Sequence, residues 1–389
     1  MRRLFALVIA IHALIHFLGV AKAFRFAELP QLPLTIGPWA GVLWGVAGLL
    51  LLVTVVGLST DAPWMWAIGL LAAIVSQVAI FTAWREASAG TLANLLLLVL
   101  VFNAWRRPPE DRLDRAYGTA VARVLPARIE PVLVTELDLA PLPALVQRYL
   151  RVTGSVGRPR VVNFRAVTHG GIRGKPTEGW MSYLAVQVNT IVSPTRSYLM
   201  HARKAGIPLT VLHRYADTHA MMQVRLLDLL TMVDVQSGKD MDQSETVTVF
   251  NDRCVFAPAS LIDPAIVWTV VDSAVVRAEW ANGPHAISAF LRFAPSGELV
   301  DWWSDDRGGL TPDGKGVIWM RWSTPLSAYR EFGGGRRLAS HGEALWHAPE
   351  GTFSYITVEI DAVEVNVTAG GATAQGAPGG ALAPAVAAR

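Results

Sequence analysis

Long apolar runs separated by short polar breaks fill the first hundred-odd positions, and then the pattern changes. Leu4–Val20 is uncharged and follows Arg2 and Arg3. Trp39–Leu58, Trp64–Trp84 and Leu92–Trp105 are uncharged as well. A helix of about 20 residues rises about 30 Å, the thickness of a bilayer's hydrocarbon core. The pattern therefore predicts four transmembrane helices, each satisfying its backbone polar groups internally as lipid demands. Trp39, Trp64, Trp84 and Trp105 fall at run ends, where amphipathic rings meet the membrane interface. Arg106-Arg107-Pro108-Pro109 closes the block, because proline cannot continue a helix.

Downstream, Asp111–Leu125 predicts an amphipathic helix and Leu142–Leu150 a second short one. From Val161 the period becomes two. Strands are expected over Val161–His169, Gly179–Val192, Thr195–Arg203, Leu209–Ala216 and His219–Leu226. One helix interrupts them. Asp242 is expected to cap it, with Glu245 completing a capping box, and it should run to about Ala257, before Pro258. Val247, Phe250, Cys254 and Ala257 form its apolar face. A meander follows: Ala274–Ala281, a hairpin turn at Asn282-Gly283, a returning strand, then Glu298–Ser304, Val317–Ser323 and Arg337–Ala348. In the last strand Ile356, Val358 and Ile360 have one parity and Val363, Val365 and Val367 the other. A bulge near Asp361-Ala362 would reconcile them.

The expected fold class is thus an α-helical membrane domain of four transmembrane helices followed by an α+β domain, a long curled antiparallel sheet around one or two helices. The expected order is the transmembrane domain at 1–107, a juxtamembrane linker with an amphipathic helix at 108–140, the sheet domain at 141–368, and a disordered Ala/Gly/Pro tail at 369–389.

Composition sharpens this in two ways. Mean hydropathy is +0.35 and 52% of residues are hydrophobic, which suits a membrane chain. The net charge is +3, yet residues 1–107 hold seven Lys/Arg against three Asp/Glu, while the remainder holds 27 against 28. The sheet domain therefore has no basic surplus for phosphates, and nucleic acid is not an expected partner. Four spans return the chain to its starting side. Arg2, Arg3, Arg106, Arg107, Arg112 and Arg115 lie there, against Lys22, Arg25 and Arg85 opposite. The excess predicts that the N-terminus and the sheet domain face the cytoplasm from a bacterial inner membrane.

Together, the capped helix and Phe256-Ala-Pro-Ala-Ser-Leu-Ile, the turn Ser296-Gly-Glu-Leu-Val, the run Thr324-Pro-Leu-Ser-Ala-Tyr-Arg-Glu-Phe and Gly342-Glu-Ala-Leu-Trp resemble a widespread bacterial family classified only as a domain of unknown function. The resemblance covers roughly Leu142–Val367. Its motifs are packing and turn signatures, so it implies no active site. The sheet-around-helix pattern is also similar in architecture to lipoprotein-carrier folds, which hold acyl chains between a curved sheet and helices.

Candidate chemistry is sparse. His12 and His16 share a helix face inside the first apolar run, as either a ligand pair or an interhelical hydrogen-bonding pair. The lone Cys254 excludes an internal disulfide and fits a small buried hydrophobe. His341, Glu343 and His347 share a strand face, but His341 and His347 stand about 20 Å apart, too far for one metal ion. His341 with Glu343 could serve a membrane-tethered hydrolase or transferase as acid and base. Asp301, Asp305 and Asp306 form a solvated turn. No phosphate-cradling loop, dinucleotide fingerprint or nucleophile elbow occurs, so no cofactor and no metal are implied. The leading expectation is a sheet domain that binds an apolar or amphipathic molecule such as a lipid. Trp302, Trp303, Trp319, Trp322, Glu343 and Trp346 would line its site, with Tyr329 and Arg330 near the rim. A ligand-free scaffold is the third alternative.

Overall fold

A computed structural model describes residues 2–26, 36–60, 62, 64–106, 112–228, 230–310 and 317–370. The chain divides into two compact units, Met1–Arg115 and Ala116–Arg389.

The first unit is helical: α1 (Arg2–Ala23), α2 (Pro38–Thr60), α3 (Met65–Phe81), the short α4 (Trp84–Ala87) and α5 (Gly90–Arg106). Two helices, Leu4–Ala23 and Pro38–Thr60, are long and apolar enough to cross a membrane. Met65–Phe81 and Gly90–Trp105 are apolar but shorter. α1 packs on α2, α2 on α3, α3 on α5, and α5 returns to α1. The inward faces carry small residues, Ala13, Ala47, Ala72, Ala73 and Ala79 among them, whereas Leu7, Leu14, Leu49, Val53, Ile74 and Phe102 point outward. Small residues let helix backbones approach closely without a large hydrophobic filling.

A polar chain crosses the helix interior. His12 Nε2 and His16 Nε2 meet the Ser76 hydroxyl at 3.1 and 2.9 Å, and that hydroxyl donates to Asn94 Oδ1 at 2.9 Å. Asn94 Nδ2 in turn donates to Gln77 Oε1 at 3.0 Å. The histidine pair therefore ties α1 to α3 and α5 by hydrogen bonds, the interhelical alternative raised by the sequence.

The boundary between the units falls within α6 (Leu113–Val124), and α7 (Glu136–Leu139) and α8 (Ala144–Val152) follow in the second unit. Six strands follow: β1 (Asn163–Ile172), β2 (Met181–Thr190), β3 (Thr195–Lys204), β4 (Ile207–Ala216), β5 (His219–Leu226) and β6 (Leu230–Gln236). The long helix α9 (Lys239–Phe256) comes next. After it run β7 (Val267–Val270), β8 (Val275–Asn282), β9 (His285–Phe293) and β10 (Leu299–Ser304). The short β11 (Gly308–Leu310), β12 (Val317–Trp319), β13 (Trp322–Ser323), β14 (Leu326–Ser327), β15 (Arg330–Phe332) and β16 (Arg336–Leu338) precede β17 (His341–Ala348) and β18 (Gly351–Val365).

One 14-stranded sheet runs in the order β6-β5-β4-β3-β2-β1-β18-β17-β13-β10-β9-β8-β7, with β14 also on β17. α9 packs against both β5 and β9, which stand near opposite ends of that order. Asn282 of β8 also donates to the Tyr215 hydroxyl of β4 at 2.9 Å. The sheet must therefore curl around α9. Between Val167 and Thr168 of β1 the partner register jumps from Ala362 to Ile360, so Asp361 is the bulge that the parity of the last strand requires.

Two local expectations shift. Gly238, not Asp242, is the residue that precedes α9. Asp242 lies in the first turn and accepts from the Ala220 N–H at 2.6 Å and the Ser237 hydroxyl at 3.0 Å, pinning the helix to β5. The β8–β9 hairpin pairs Asn282 with His285, so its loop is Gly283-Pro284. Gly283 takes φ 58, as the first central position of a primed turn demands. The Ala/Gly/Pro tail lies outside the described residues from 371 onward.

Candidate functional site

α9 has two different sides. Val247, Phe250 and Cys254 face a dry core shared with Tyr149 and Leu150 of α8 and with Val276, Ala278, Trp280, Leu291 and Trp302 of β8–β10. Phe250 stacks on Trp280 at 5.4 Å, and the Tyr149 hydroxyl donates to the Cys254 carbonyl at 2.8 Å. Burial pushes the Cys254 thiol up to about 12, so it is inert, as expected of a small buried hydrophobe.

The other side carries Glu245, Thr248, Asp252 and Val255, positions that recur at helical spacing. It faces a cavity of about 420 Å³. The inner faces of β1–β5, β13, β14, β17 and β18, with Arg307 and Thr324, supply the rest of the wall. Tyr198, Met200 and Ala202 alternate along β3, Leu209, Val211 and His213 along β4, and Ile356, Val358 and Ile360 along β18. Cross-strand register explains the row: Tyr198 pairs with His213, and Met200 with Val211. A wider space of about 1120 Å³ adjoins this cavity and shares Ile172, Met181, His213, Glu245, Arg307 and Tyr355 with it.

Charges gather where the two spaces meet. Arg196 Nε donates to Asp252 Oδ2 at 2.8 Å, and Asn189 and Gln187 donate to the same oxygen at 3.0 and 3.2 Å. Arg196 Nη1 lies 3.5 Å from Glu245 Oε2, and Arg307 Nη2 lies 3.7 Å from Glu245 Oε1. Arg307 Nε donates to the Thr248 hydroxyl at 3.1 Å. Its guanidinium lies 4.4 Å from the Trp322 ring centre and 5.1 Å from that of Trp346. His213 Nδ1 is 3.4 Å from Arg196 Nη1, and its Nε2 is 3.6 Å from Glu245 Oε1.

Protonation follows from these neighbours. Burial lowers His213 to about 4, more than Glu245 can offset, so the ring is neutral near pH 7. Burial works to raise Glu245, but the Arg196 and Arg307 guanidinium groups and the Thr248 hydroxyl hold it below the usual carboxylate range. Glu245 Oε2 and His213 Nε2 are both buried without a hydrogen-bond partner.

The residues singled out by sequence are distributed unevenly. Trp322 and Glu343 border the inner cavity and Trp346 the wider space. Alternation nonetheless turns Glu343 away from its cavity-lining neighbours Gly342 and Ala344. Trp302 is wholly buried in the core, 5.7 Å from the Trp322 ring. Trp303 stacks on Phe290 at 5.2 Å, and Trp319 is 46% exposed on β12. The Tyr329 hydroxyl donates to the Leu299 carbonyl at 2.8 Å and Arg330 to the Ile360 carbonyl at 2.7 Å. Neither is among the residues that line the two spaces. His341 pairs with Glu359 at 2.6 Å, and it too shares the parity that faces away from the cavity. Arg196, His213, Glu245 and Asp252 form the polar centre; of these the sequence marks only Glu245, and as a capping-box residue. The signal available was α9 itself, whose 245, 248 and 252 positions are polar yet lie opposite its apolar stripe.

No curated protein matches the chain. A solved structure from Vibrio parahaemolyticus, described as an outer membrane lipoprotein-sorting protein domain, is similar over 52% of this chain and 85% of its own at 10% identity. The TM-score is 0.31, too low for the likeness to carry an argument. Residues 132–358, more than half of the chain, match a family whose function is unknown, in line with the resemblance that the turn and packing motifs show. The chain belongs to that family, DUF6544.

Proposed function

We propose that this is an inner-membrane protein whose sheet domain binds an apolar or amphipathic molecule, such as a lipid, between the curled sheet and α9. One observation carries the reading: a cavity of about 420 Å³ walled by Met200, Val211, Val224, Ile356, Val358 and similar side chains, with one polar cluster at its α9 end. Ligand sites have this composition, mostly apolar with a few convergent polar groups, and volumes of roughly 300–1,000 Å³. An apolar hollow of this size is costly to leave wet and equally costly to leave empty. Trp322 and Trp346 belong to the site through Arg307, and Tyr198, Met200 and Val211 form its apolar wall.

Membrane placement rests on the helical unit. Its exterior is Leu, Val, Ile and Phe, while its interior holds alanines and a hydrogen-bonded polar chain. That distribution is the reverse of a soluble bundle and suits lipid as the surrounding medium. We take α3 and α5 as spans beside α1 and α2. At 17 residues each they rise roughly 25 Å, enough with flanking residues or local thinning. The basic bias then puts the sheet domain in the cytoplasm.

Native mass spectrometry of the full chain purified in mild detergent tests the binding reading. A copurifying species of lipid mass, lost on Val211→Trp, is the expected result. Protein that carries nothing and takes up no added lipid overturns it.

A further inference from the structure

Resting on the binding reading above, we infer that the ligand is an anionic amphipath that enters tail first. Its carboxylate or phosphate head stays in the wider space, at a rim of cations formed by Arg173, Lys175 and Lys239, while its chain fills the inner hollow.

The rim is the first argument. Of the described residues that line the wider space, Arg173, Lys175, Lys239 and Arg307 are cationic, and Asp240 and Glu245 are acidic. Arg307 and Glu245 answer one another at 3.7 Å, with the Glu245 side chain only 3% exposed. Three cations then stand against Asp240. Lys175 and Lys239 are exposed, and neither ammonium has an ion pair or a hydrogen bond among the described residues. Asp240 is exposed as well and pairs with neither. Glu178, in the β1–β2 loop with Lys175, lines neither space and pairs with neither lysine. Arg173 donates to the Ser354 carbonyl at 2.8 Å and the Pro176 carbonyl at 3.1 Å, and its guanidinium lies 4.3 Å from the Trp180 ring centre. Those contacts fix its position and bring it no carboxylate.

The second argument is the contrast between the two spaces. The inner hollow is apolar except at its α9 end, where Arg196 lies 2.8 Å from Asp252 and Arg307 lies 3.7 Å from Glu245. A charged head taken in there would shed its water among groups already engaged with one another, which is costly. At the rim the same head keeps part of its hydration and gains cations. The walls also leave selection to the head. Five of the nine methionines, Met181, Met200, Met222, Met241 and Met320, line the two spaces, and an unbranched thioether yields to chains of different shape. Such walls discriminate weakly among tails, so the charge at the mouth sets the ligand class.

Four probes with one eighteen-carbon tail and different heads test this: oleic acid, 1-oleoyl lysophosphatidic acid, oleyl alcohol and oleylamine. An equimolar mixture is offered to the full chain in nonionic detergent at about pH 8.5, where the carboxylate is charged and lysine still protonated. Native mass spectrometry reads which is bound. The better of the two anions should exceed oleyl alcohol by about threefold or more and oleylamine by about tenfold or more, the scale of two exposed charge contacts. Which anion leads tells a carboxylate head from a phosphate. Lys175→Gln/Lys239→Gln removes two unpaired surface charges, so it should keep a urea midpoint near wild type and lose most of that preference. Raising the ammonium acetate from about 0.05 to about 0.5 M should weaken the preference of the wild type too, because exposed charges are screened. Alcohol or amine bound as well as both anions overturns the anionic head while leaving a lipid-binding cavity intact. A preference unchanged by the double substitution overturns the rim. Binding of none of the four overturns this inference and the binding reading together.

Discussion

Arg196 makes contact with every other ionisable side chain of the inner cluster except Arg307, and its loss should be felt in stability before function. Asp252 receives Arg196 Nε at 2.8 Å, and Glu245 lies 3.5 Å from its Nη1. Arg196→Met keeps much of the volume but leaves two buried carboxylates with only Arg307 nearby. Breaking a buried pair from one side costs about 3–5 kcal/mol. The double variant Arg196→Met/Asp252→Leu should recover part of that in urea unfolding, because no lone charge remains at Asp252. His213 makes the second residue-scale prediction. Its folded pKa is lowered to about 4, mainly by burial, against 6.5 for the free side chain. Above pH 6.5 both folded and unfolded forms are neutral at this ring. Between 6.5 and 4 the unfolded chain takes up a proton that the folded ring refuses, so stability falls with pH by roughly 1–3 kcal/mol. Below 4 this contribution is flat. His213→Asn should remove that part of the slope, seen as similar urea midpoints at pH 7 and pH 5, while the wild type drops.

At the scale of elements, α9 separates packing from binding, and the two sides should fail differently. Phe250 is wholly buried and stacks on Trp280, so Phe250→Ala should cost about 3–5 kcal/mol. Val211, on the sheet wall opposite, faces open volume. Val211→Trp should therefore fold with a urea midpoint near wild type and lose bound lipid, whereas overpacking a filled core costs about 1–3 kcal/mol. A large loss of stability on Val211→Trp would mean that the hollow closes in solution. Much of this layer was legible in sequence. The strand periods place β1–β5 and β8–β10 within a few residues, and conflicting parities in β18 locate the Asp361 bulge. The polar centre was not legible, for a physical reason. Glu245 sits three residues after Asp242 and so mimics a capping box, while the Arg196 and His213 it faces lie on neighbouring strands of the sheet. Their meeting depends on Tyr198 pairing with His213 and on the sheet curling back to α9. Period alone also cannot say which face of β2 or β3 turns inward when both are apolar. The tryptophans misled for a related reason. Bulk predicts burial, and Trp302 and Trp322 are buried, but it does not tell core from cavity wall.

For the whole molecule, placement can be decided with the chain's own chemistry. Cys254 is the single cysteine, fully buried, with its thiol pushed up to about 12. The natural chain is thus effectively silent toward maleimides, since only the thiolate reacts. Single cysteines introduced at exposed positions then report the side of the membrane directly. Ser59 lies in the last turn of α2 and Ala89 precedes α5, both exposed, and Lys204 is exposed at the end of β3. With four spans and the basic ends inside, Ser59→Cys and Lys204→Cys should resist an impermeant maleimide in intact cells, and Ala89→Cys should react. All three should react once the membrane is opened. If only α1 and α2 crossed, Ser59 and Ala89 would lie on one side and label alike, which removes α3 and α5 as spans. If Lys204→Cys labelled from outside, the orientation would be reversed. The ligand would then have to come from the outer leaflet or the periplasm.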